Sequence, residues 1–360
     1  LLLFLGNTTY AFSLMLSAYL VGIALGGAIY ARWVKPERNE RQLFVILSIM
    51  MGVAIFATAP FYDQLAYLFQ QAHNLSGESW WVLSGFSFVI VLTIMLIPTV
   101  LSGSLLPAAV AIIDPGRGRT GEGVGLVVLH NTVGAVVGSL LAGVVLVPIL
   151  GILGSFRLLA IANVSIGMFL CFHFREQIKI AWHIPALAAL GVFISFYPAN
   201  WDEKLMNSGV YVYAPKYRQS GGIDAVLAKE RILDVVEGRD TTVAIFESLD
   251  GSNRFFTVNG KTDGGTGRDM ATQLLVGHLP LLLHPSPQEV MVIGLGTGIT
   301  LRGMAAHPVE RIDCVEISEE VVATAKWFEE ANGGALNHPK QRLYVNDGRN
   351  MLLVEPQQYD

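Results

Sequence analysis

The hydrophobic positions of the chain follow two different patterns. Up to about residue 198 they form runs long enough to cross a bilayer as helices, which takes roughly 17–25 residues. The predicted spans are 9–31, 42–61, 82–113, 123–147, 151–174 and 180–197. After residue 230, short alternating or fully apolar segments replace these runs. The pattern therefore predicts a multi-span helical membrane bundle over 1–198, followed by a smaller part that contains strands.

Proline and glycine positions add detail to the bundle. The third run is longer than one span and contains Pro98 and Pro107, so it is either one kinked helix or two half-helices joined by unwound backbone. Glycine pairs at a spacing that lets helix backbones approach closely occur in the first and fourth runs. These pairs are Gly22 with Gly26 and Gly134 with Gly138. We expect them to pack the bundle.

Composition separates the two parts further. The chain of 360 residues is 52% hydrophobic and 15% charged, with a mean hydropathy of +0.49. Residues 1–200 carry 9 basic and 7 acidic residues, whereas residues 201–360 carry 15 basic and 22 acidic ones. An acidic second part argues against nucleic acid as a partner and favours cationic ligands. Two distant cysteines, Cys171 and Cys314, exclude a disulfide framework and argue against a metal site.

The strand-containing part is predicted to begin after a polar connector at 199–230. Residues 231–288 read as a small antiparallel sheet of three segments, a Gly-rich bend at 259–265 and a helix over 268–283. From 289 onward strands alternate with helices, which is typical of a doubly wound, Rossmann-like α/β domain. Its predicted strands are 290–293, 312–317 and 342–345, and a helix is predicted over 319–330.

Candidate ligand-binding residues follow each of these three strands, where such folds bind ligands. They are Gly294, Gly296, Thr297 and Gly298 after the first strand, Glu316 at the end of the second, and Asp347 and Gly348 after the third. Glycines let a ligand approach the backbone, Glu316 can accept from ribose hydroxyls, and Asp347 can accept from an exocyclic amine. The order G-x-G-x-G favours an S-adenosyl ligand over a dinucleotide, although the loop alone also fits a tight βα turn.

Six short segments carry a resemblance to a known family: NGKTD at 259–263, RDMATQ at 268–273, GHLPL at 277–281, GLGTG at 294–298, VEI at 315–317 and NDGR at 346–349. Through them, residues from about 231 to 360 resemble the spermidine synthase (polyamine aminopropyltransferase) family. More narrowly, the chain resembles its bacterial membrane-fused members, in which a transporter-like bundle precedes the synthase domain. The resemblance implies aminopropyl transfer from decarboxylated S-adenosylmethionine to a diamine or polyamine, without a metal. A homodimer is a further expectation.

Carried over by position, the resemblance implies that Glu316 binds the ribose, Asp347 binds the adenine amine, and 294–298 lies under the thioether. The family's catalytic Asp follows a fourth strand, which we expect beyond Asp360. The chain opens on Leu1 rather than Met. We therefore expect a fragment cut at both ends, which would be inactive by itself.

The part of the site that would bind the amine substrate, called the amine half below, departs from the family pattern. Thr297 stands where the family has Asp, and Asp263 stands where the soluble enzymes have Gln. The candidate substrate-binding residues are Asp263, Asp269 and Gln273. Two other interpretations remain: an S-adenosylmethionine-dependent methyltransferase, which would bind ordinary S-adenosylmethionine, and a non-catalytic transporter whose second part senses an adenosyl metabolite or a polyamine.

Basic residues alternate between the loops of the bundle. The 32–41, 114–122 and 175–179 loops carry them, and the 62–81 and 148–151 segments do not. The positive-inside rule makes the basic loops cytoplasmic. Six complete spans would then place residues 201–360 outside, away from a cytosolic substrate, unless the third run is re-entrant or the last run lies in the interface. We expect an integral protein of the bacterial inner membrane and favour a cytoplasmic second part.

Overall fold

The computed structural model describes residues 1–33, 39–77, 79–113, 120–179, 191, 200–239, 241–354 and 358–360. The chain divides into two compact units, Leu1–Asp202 and Glu203–Asp360. The regular secondary structure described in the first unit is helical, and the second unit contains helices and two sheets.

Long apolar helices make up most of the first unit. In chain order its α-helices are α1 Leu2–Leu5, α2 Thr9–Trp33, α3 Glu40–Thr58, α4 Tyr62–Ser76, α5 Trp80–Ile113, α6 Thr120–Leu141 and α7 Val147–His173. Four helical stretches of the described residues are long and apolar enough to cross a membrane, by length and composition alone. These stretches are Thr9–Arg32, Glu40–Ser76, Trp80–Ile113 and Gly121–His173.

The predicted turn between the fourth and fifth runs coincides with a break in the helical backbone. A π-helical segment, Ala142–Leu146, joins α6 to the start of α7, and within the range of α7 two helices meet at a kink at Gly151. Gly151 has a φ of +70° there, which glycine adopts without a Cβ clash. The backbone is therefore not helical at Gly151, within the predicted turn. The sixth predicted run, 180–197, lies outside the described residues apart from Gly191.

The predicted loop at 62–81 is mostly helix α4. Apolar side chains recur on one face of it with helical spacing, and Tyr62, Leu65, Ala66 and Phe69 are buried. A search for long apolar runs misses such a helix because its opposite face is polar. Trp201 closes this end of the unit, since its indole N–H donates to the Ala59 carbonyl at 2.8 Å.

Glycines bring α2 and α5 into backbone contact. A Cβ built on Gly26 would lie 2.1 Å from the Val100 carbonyl oxygen, and one on Gly103 would lie 2.3 Å from the Ile23 carbonyl oxygen. The Ser104 hydroxyl donates to the Gly26 carbonyl at 3.0 Å. Close packing through small residues is thus the main contact between these helices, as the first glycine pair predicted.

The other bundle predictions have mixed outcomes. The third run is one helix, α5, with Pro98 and Pro107 inside it, so the kinked-helix alternative is the one that the structure adopts. The second glycine pair packs against nothing in the described part of the chain. No heavy atom there lies within 4 Å of a Cβ built on Gly134 or Gly138.

The second unit contains the remaining helices and all the described strands. In chain order these elements are α8 Glu203–Met206, α9 Val210–Gln219, α10 Ile223–Leu227, β1 Glu230–Glu237, β2 Thr242–Ser248, β3 Arg254–Val258, β4 Lys261–Gly265, α11 Asp269–Leu283, β5 Glu289–Ile293, α12 Ile299–Ala305, β6 Arg311–Glu316, α13 Glu319–Thr324, α14 Glu329–Asn332, β7 Gln341–Val345 and α15 Gly348–Val354. Much of the predicted connector is therefore folded, because α8 to α10 bury Val210, Ala214 and Tyr217.

Strands β1 to β4 form an antiparallel sheet in that order. The predicted Gly-rich bend at 259–265 was wrong in part: it consists of a tight turn and the fourth strand, β4. Asn259 and Gly260 have φ values of +50° and +83°, which are typical of the two-residue turns that join antiparallel strands. Composition concealed the strand, because glycine and Asp are uncommon in strands.

Strands β5, β6 and β7 form a parallel sheet in that order, as predicted for a doubly wound domain. Helix α11 agrees with the predicted helix over 268–283, whereas the helix predicted over 319–330 is interrupted by a 3-10 segment, Ala325–Phe328. Val243, Ile245 and Phe256 of the antiparallel sheet share one core with Val290 and Ile312 of the parallel sheet. The two sheets therefore support each other.

A buried carboxylate also links the strands of the antiparallel sheet. Glu247 lies opposite Arg231 on one side and Arg254 on the other, and its carboxylate accepts from both guanidinium groups. Arg254 also donates to the Trp327 carbonyl at 2.6 Å, which ties this sheet to the segment before α14. Hydrogen bonds from Arg231 and Arg254 hold the pKa of the Glu247 carboxyl below its usual value.

We expect Gly103→Ala to destabilise the first unit by about 1–3 kcal/mol, because the added methyl group meets backbone that cannot rotate away. Thermal unfolding of the chain in detergent micelles measures this loss. Gly134→Ala is the matched control and should be neutral or slightly stabilising, since Ala is the better helix former. Equal stability of the two variants would contradict the packing described for α2 and α5.

We expect Glu247→Gln to lower the stability of the second unit at neutral pH by about 1–3 kcal/mol, because charged hydrogen bonds are lost. The lowered pKa means that wild-type Glu247 contributes fully above its unfolded value of 4.5 and loses this contribution as the pH falls through the folded value. Unfolding curves of wild type and variant should therefore converge in acid. A difference independent of pH would contradict an ionic role.

Candidate functional site

The ends of the three parallel strands lie side by side. Ile293 is in register with Val315, and Glu316 is in register with Val345. The Gly294 amide donates to the Val315 carbonyl at 2.8 Å, which extends the pairing by one residue past β5. Loops that leave β5, β6 and β7 therefore emerge at one edge, as expected for parallel strands.

The loop after β5 depends on its glycines. Gly294, Gly296 and Gly298 have φ values of +96°, +53° and +76°, a region that L side chains rarely adopt. The Gly298 amide donates to the Leu295 carbonyl at 2.9 Å and closes a turn before α12. A Cβ built on Gly296 would lie 3.6 Å from Cζ of Phe256, so this loop packs over the antiparallel sheet.

Glu316 connects this loop to the end of β6. One carboxylate oxygen accepts from the Leu295 amide at 2.8 Å, and the other accepts from the Ser318 amide at 2.9 Å. The side chain is 7% exposed, so these bonds offset the cost of removing the carboxylate from water. Each carboxylate oxygen has a second lone pair that remains free to accept a ligand hydroxyl.

Asp347 and Gly348 begin α15 beyond β7. The Asp347 carboxylate accepts from the Asn350 amide at 2.8 Å, as a helix cap does, and the side chain is partly exposed. A Cβ built on Gly348 would lie 2.8 Å from Cγ2 of Ile293, so a side chain there would press on the end of β5. The residues predicted after β5, β6 and β7 thus lie at one edge of the sheet.

Thr297 and Gln273 are linked to each other. Thr297 is 1% exposed, and its hydroxyl donates to the Gln273 side-chain oxygen. The Gln273 amide nitrogen donates in turn to the Gly265 carbonyl at 2.9 Å at the end of β4. Gln273, predicted to bind substrate, thus braces the glycine loop against the antiparallel sheet through both ends of its amide.

The two predicted acidic residues of the amine half lie on the surface. Asp263 forms an ion pair with Lys261, and this contact raises the pKa of the Lys261 ammonium. Asp269 is exposed in the first turn of α11, where a negative charge favours the helix. In the described part of the chain, no group of three or more His, Cys, Asp or Glu residues is placed to hold a metal ion.

Two features of the site were not predicted from the sequence. Asn332, 1% exposed, donates from its amide nitrogen to the Thr297 carbonyl at 3.1 Å, and its side-chain oxygen accepts from the Gly334 amide at 3.0 Å. Asn332 lies far along the chain, and nothing local marks it except the two glycines that follow. Ile293 and Ile317 are 61% and 69% exposed beside the loop and present apolar surface there.

The region that contains this site is similar to known proteins. Residues 269–360 match the spermine/spermidine synthase domain model. The chain is 28% identical over 135 residues to the spermidine synthase of Dictyostelium discoideum, covering 37% of this chain and 47% of that protein. It is 34% identical over 87 residues to the polyamine aminopropyltransferases of Bacillus subtilis and Methanocaldococcus jannaschii, covering 24% of this chain and 32% and 30% of those proteins.

Residues 269–360 are therefore similar to a spermine/spermidine synthase domain, and the chain spans less than half the length of the relatives that it matches. Among solved structures, the spermidine synthase from Thermotoga maritima aligns with a TM-score of 0.34 and 24% identity, covering 36% of this chain and 46% of that one.

We expect Asn332→Ala to loosen the glycine loop, because it leaves the buried Thr297 carbonyl and the buried Ala335 amide without partners, at a cost of about 1–3 kcal/mol each. Hydrogen exchange of the full chain, read over residues 294–300, should become faster. The exposed Asn337 supplies the matched control, Asn337→Ala, which should leave exchange unchanged. Unaltered exchange in Asn332→Ala would show that the loop is held without this side chain.

Proposed function

We propose that the second unit binds decarboxylated S-adenosylmethionine above the loop 294–298 and transfers its aminopropyl group to a diamine or polyamine. One observation carries the proposal: a buried carboxylate, Glu316, is held at a strand end by the loop whose three glycines all have positive φ. Such a loop lets a sulfonium and a ribose approach the backbone closely. The match of 269–360 to the synthase domain supports the same ligand.

The strand ends supply a partner for each portion of the nucleoside. The free lone pairs of Glu316 accept from the ribose hydroxyls. Ile317 follows it directly and offers an exposed apolar surface to the adenine ring. The Asp347 carboxylate accepts from the adenine amine with the oxygen that does not cap α15. These three contacts hold the nucleoside and leave the aminopropyl arm directed along the glycine loop.

The reaction itself needs positioning more than acid catalysis. The unprotonated amine attacks the carbon beside the sulfonium, a C–N bond forms, and the electrons of the C–S bond pass to sulfur. The thioether leaves as a neutral molecule, and the new ammonium releases one proton to a base or to water. Holding the two reactants in line is the main contribution of such a site.

The amine half distinguishes two related activities. A hydroxyl at Thr297, already bonded to Gln273, replaces the carboxylate that the family places near the aminopropyl amine. This replacement favours, as a second candidate, a methyltransferase that uses ordinary S-adenosylmethionine. We favour the aminopropyltransferase because the relatives found by comparison are polyamine enzymes. We also propose that the first unit lies in a bacterial inner membrane and that the second faces the cytoplasm, where the substrate is made.

Calorimetry on the full chain in detergent micelles tests the proposal by comparing decarboxylated with ordinary S-adenosylmethionine. We expect the decarboxylated form to bind more tightly. Preference for the ordinary form would favour the methyltransferase, and binding of neither form would contradict both activities. The sensing transporter is tested with a longer protein that includes the expected fourth strand. Binding of the decarboxylated form by that protein without aminopropyl transfer to any diamine would favour the transporter.

Glu316→Gln should weaken binding of the preferred form at least about tenfold, because lost charged hydrogen bonds of about 1.5–3 kcal/mol correspond to that factor. Glu319→Gln changes an exposed Glu three residues away and serves as the matched control, with unchanged affinity. Equal affinity of the wild type and Glu316→Gln would remove Glu316 from the binding site.

A further inference from the structure

Three segments of the first unit meet at one end of its helices. The Tyr30 hydroxyl, near the end of α2, donates to the Glu40 carboxylate at the start of α3 at 2.8 Å. The Asn39 side-chain amide, just before α3, donates to the Gln177 carbonyl in the segment that follows α7. Hydrogen bonds therefore hold the end of α2, the start of α3 and the segment after α7 together.

The segment after α7 is anchored to the helices by an apolar contact as well. Ile178 is buried and shares a core cluster with Val45 of α3 and Val164 of α7. The backbone amide of Lys179 donates to the Gln42 side-chain oxygen at 3.3 Å. The backbone of this segment is therefore held against α3 and α7, and the side chains that it carries project from a fixed base.

Positive charge is in excess at this end of the unit. We call its described residues, 30–33, 39–42 and 172–179, the basic end. Its cations are Arg32, Arg41, Arg175 and Lys179, and its carboxylates are Glu40 and Glu176. None of the four cations forms an ion pair with a carboxylate in the described part of the chain. The basic end therefore presents cations that can bind an anion.

Two of these cations lie over aromatic rings of the same short segment. The guanidinium carbon of Arg41 is 5.6 Å from the centre of the Phe174 ring, and that of Arg175 is 4.9 Å from the centre of the Phe172 ring. Such contacts favour a defined position for each cation. Neither guanidinium donates a hydrogen bond to another described residue, so the N–H donors of both remain available to an acceptor.

We propose that the basic end binds the phosphate of an anionic phospholipid headgroup through Arg41 and Arg175. A guanidinium presents paired N–H donors that match two oxygens of a phosphate. The Phe172 side chain is 69% exposed beside Arg175 and offers apolar contact to an acyl chain. The proposal rests on the membrane position proposed for the first unit, and it is independent of the ligand proposed for the second unit.

An anionic lipid suits this position better than a free anion or a zwitterionic lipid. Three of the apolar stretches begin or end here, at Arg32, Glu40 and His173, and headgroups surround the ends of helices that cross a bilayer. Each Lys or Arg near an anionic membrane surface strengthens binding by about fivefold. A zwitterionic headgroup such as that of phosphatidylcholine carries its own cation, which the basic end repels.

Native mass spectrometry of the full chain in neutral detergent micelles tests the proposal by counting the lipids that the protein retains. Phosphatidylglycerol and phosphatidylcholine with the same acyl chains are titrated separately. We expect phosphatidylglycerol to bind at least about tenfold more tightly, because two cations each contribute about fivefold. Equal binding of the two lipids would overturn the headgroup site alone, whereas binding of neither lipid would contradict the membrane position as well.

The double variant Arg41→Gln with Arg175→Gln locates the site. Its affinity for phosphatidylglycerol should fall at least about tenfold, and its affinity for phosphatidylcholine should not fall. The double variant Arg41→Lys with Arg175→Lys keeps both charges and should bind phosphatidylglycerol more tightly than the glutamine variant. If the lysine variant binds as weakly as the glutamine variant, the loss is structural rather than ionic, and the assignment is overturned.

Arg218→Gln with Arg239→Gln is the matched control, since both residues are exposed in the second unit and the same positive charge is removed. Its affinity for phosphatidylglycerol should equal that of the wild type. An equal loss in this control would show that net charge, and not the basic end, selects the lipid.

Inorganic phosphate distinguishes a lipid from a free anion. At the same concentration it should not displace phosphatidylglycerol from the wild type, because it has no acyl chain to contact Phe172. Displacement by inorganic phosphate would identify a site for a free anion and would overturn the lipid assignment.

Discussion

The second unit depends on one buried carboxylate and the two backbone amides that it accepts from. Glu316 receives the Leu295 amide from the glycine loop and the Ser318 amide from the start of the next helix. A buried carboxylate without such partners is too costly to keep charged. The loop after β5 is therefore held where it can meet this side chain, and the ends of β5 and β6 form one edge of a site.

The antiparallel sheet completes that site from outside the parallel one. Phe256 lies beneath Gly296, and the Gly265 carbonyl receives Gln273, which in turn holds Thr297. Because Phe256 belongs to the core that both sheets share, a change in the antiparallel sheet reaches the loop directly. The glycine loop owes its shape to both sheets, and to Asn332 on the other side of it.

The antiparallel sheet also has two faces of different character. Phe256 points into the shared core, and its neighbour Thr257 lies on the opposite face, as the alternation of a strand requires. The core face stabilises the fold through apolar contact. The opposite face is more polar, and the Thr257 hydroxyl there has no hydrogen-bond partner among the described residues.

Local pattern determined most of the elements of this protein. Period and turn chemistry identified the long apolar helices, the parallel strands and the residues at their ends, because such signals lie within a few residues. Strand β4 was missed because glycine and Asp are uncommon in strands, and helix α4 was missed because a search for long apolar runs does not detect an amphipathic helix. Three groupings of residues are seen only in the tertiary structure: Asn332 against the glycine loop, Thr297 with Gln273, and Arg41 with the Phe174 ring. Each joins residues far apart in the chain, and no local preference specifies which distant partner a polar group will meet.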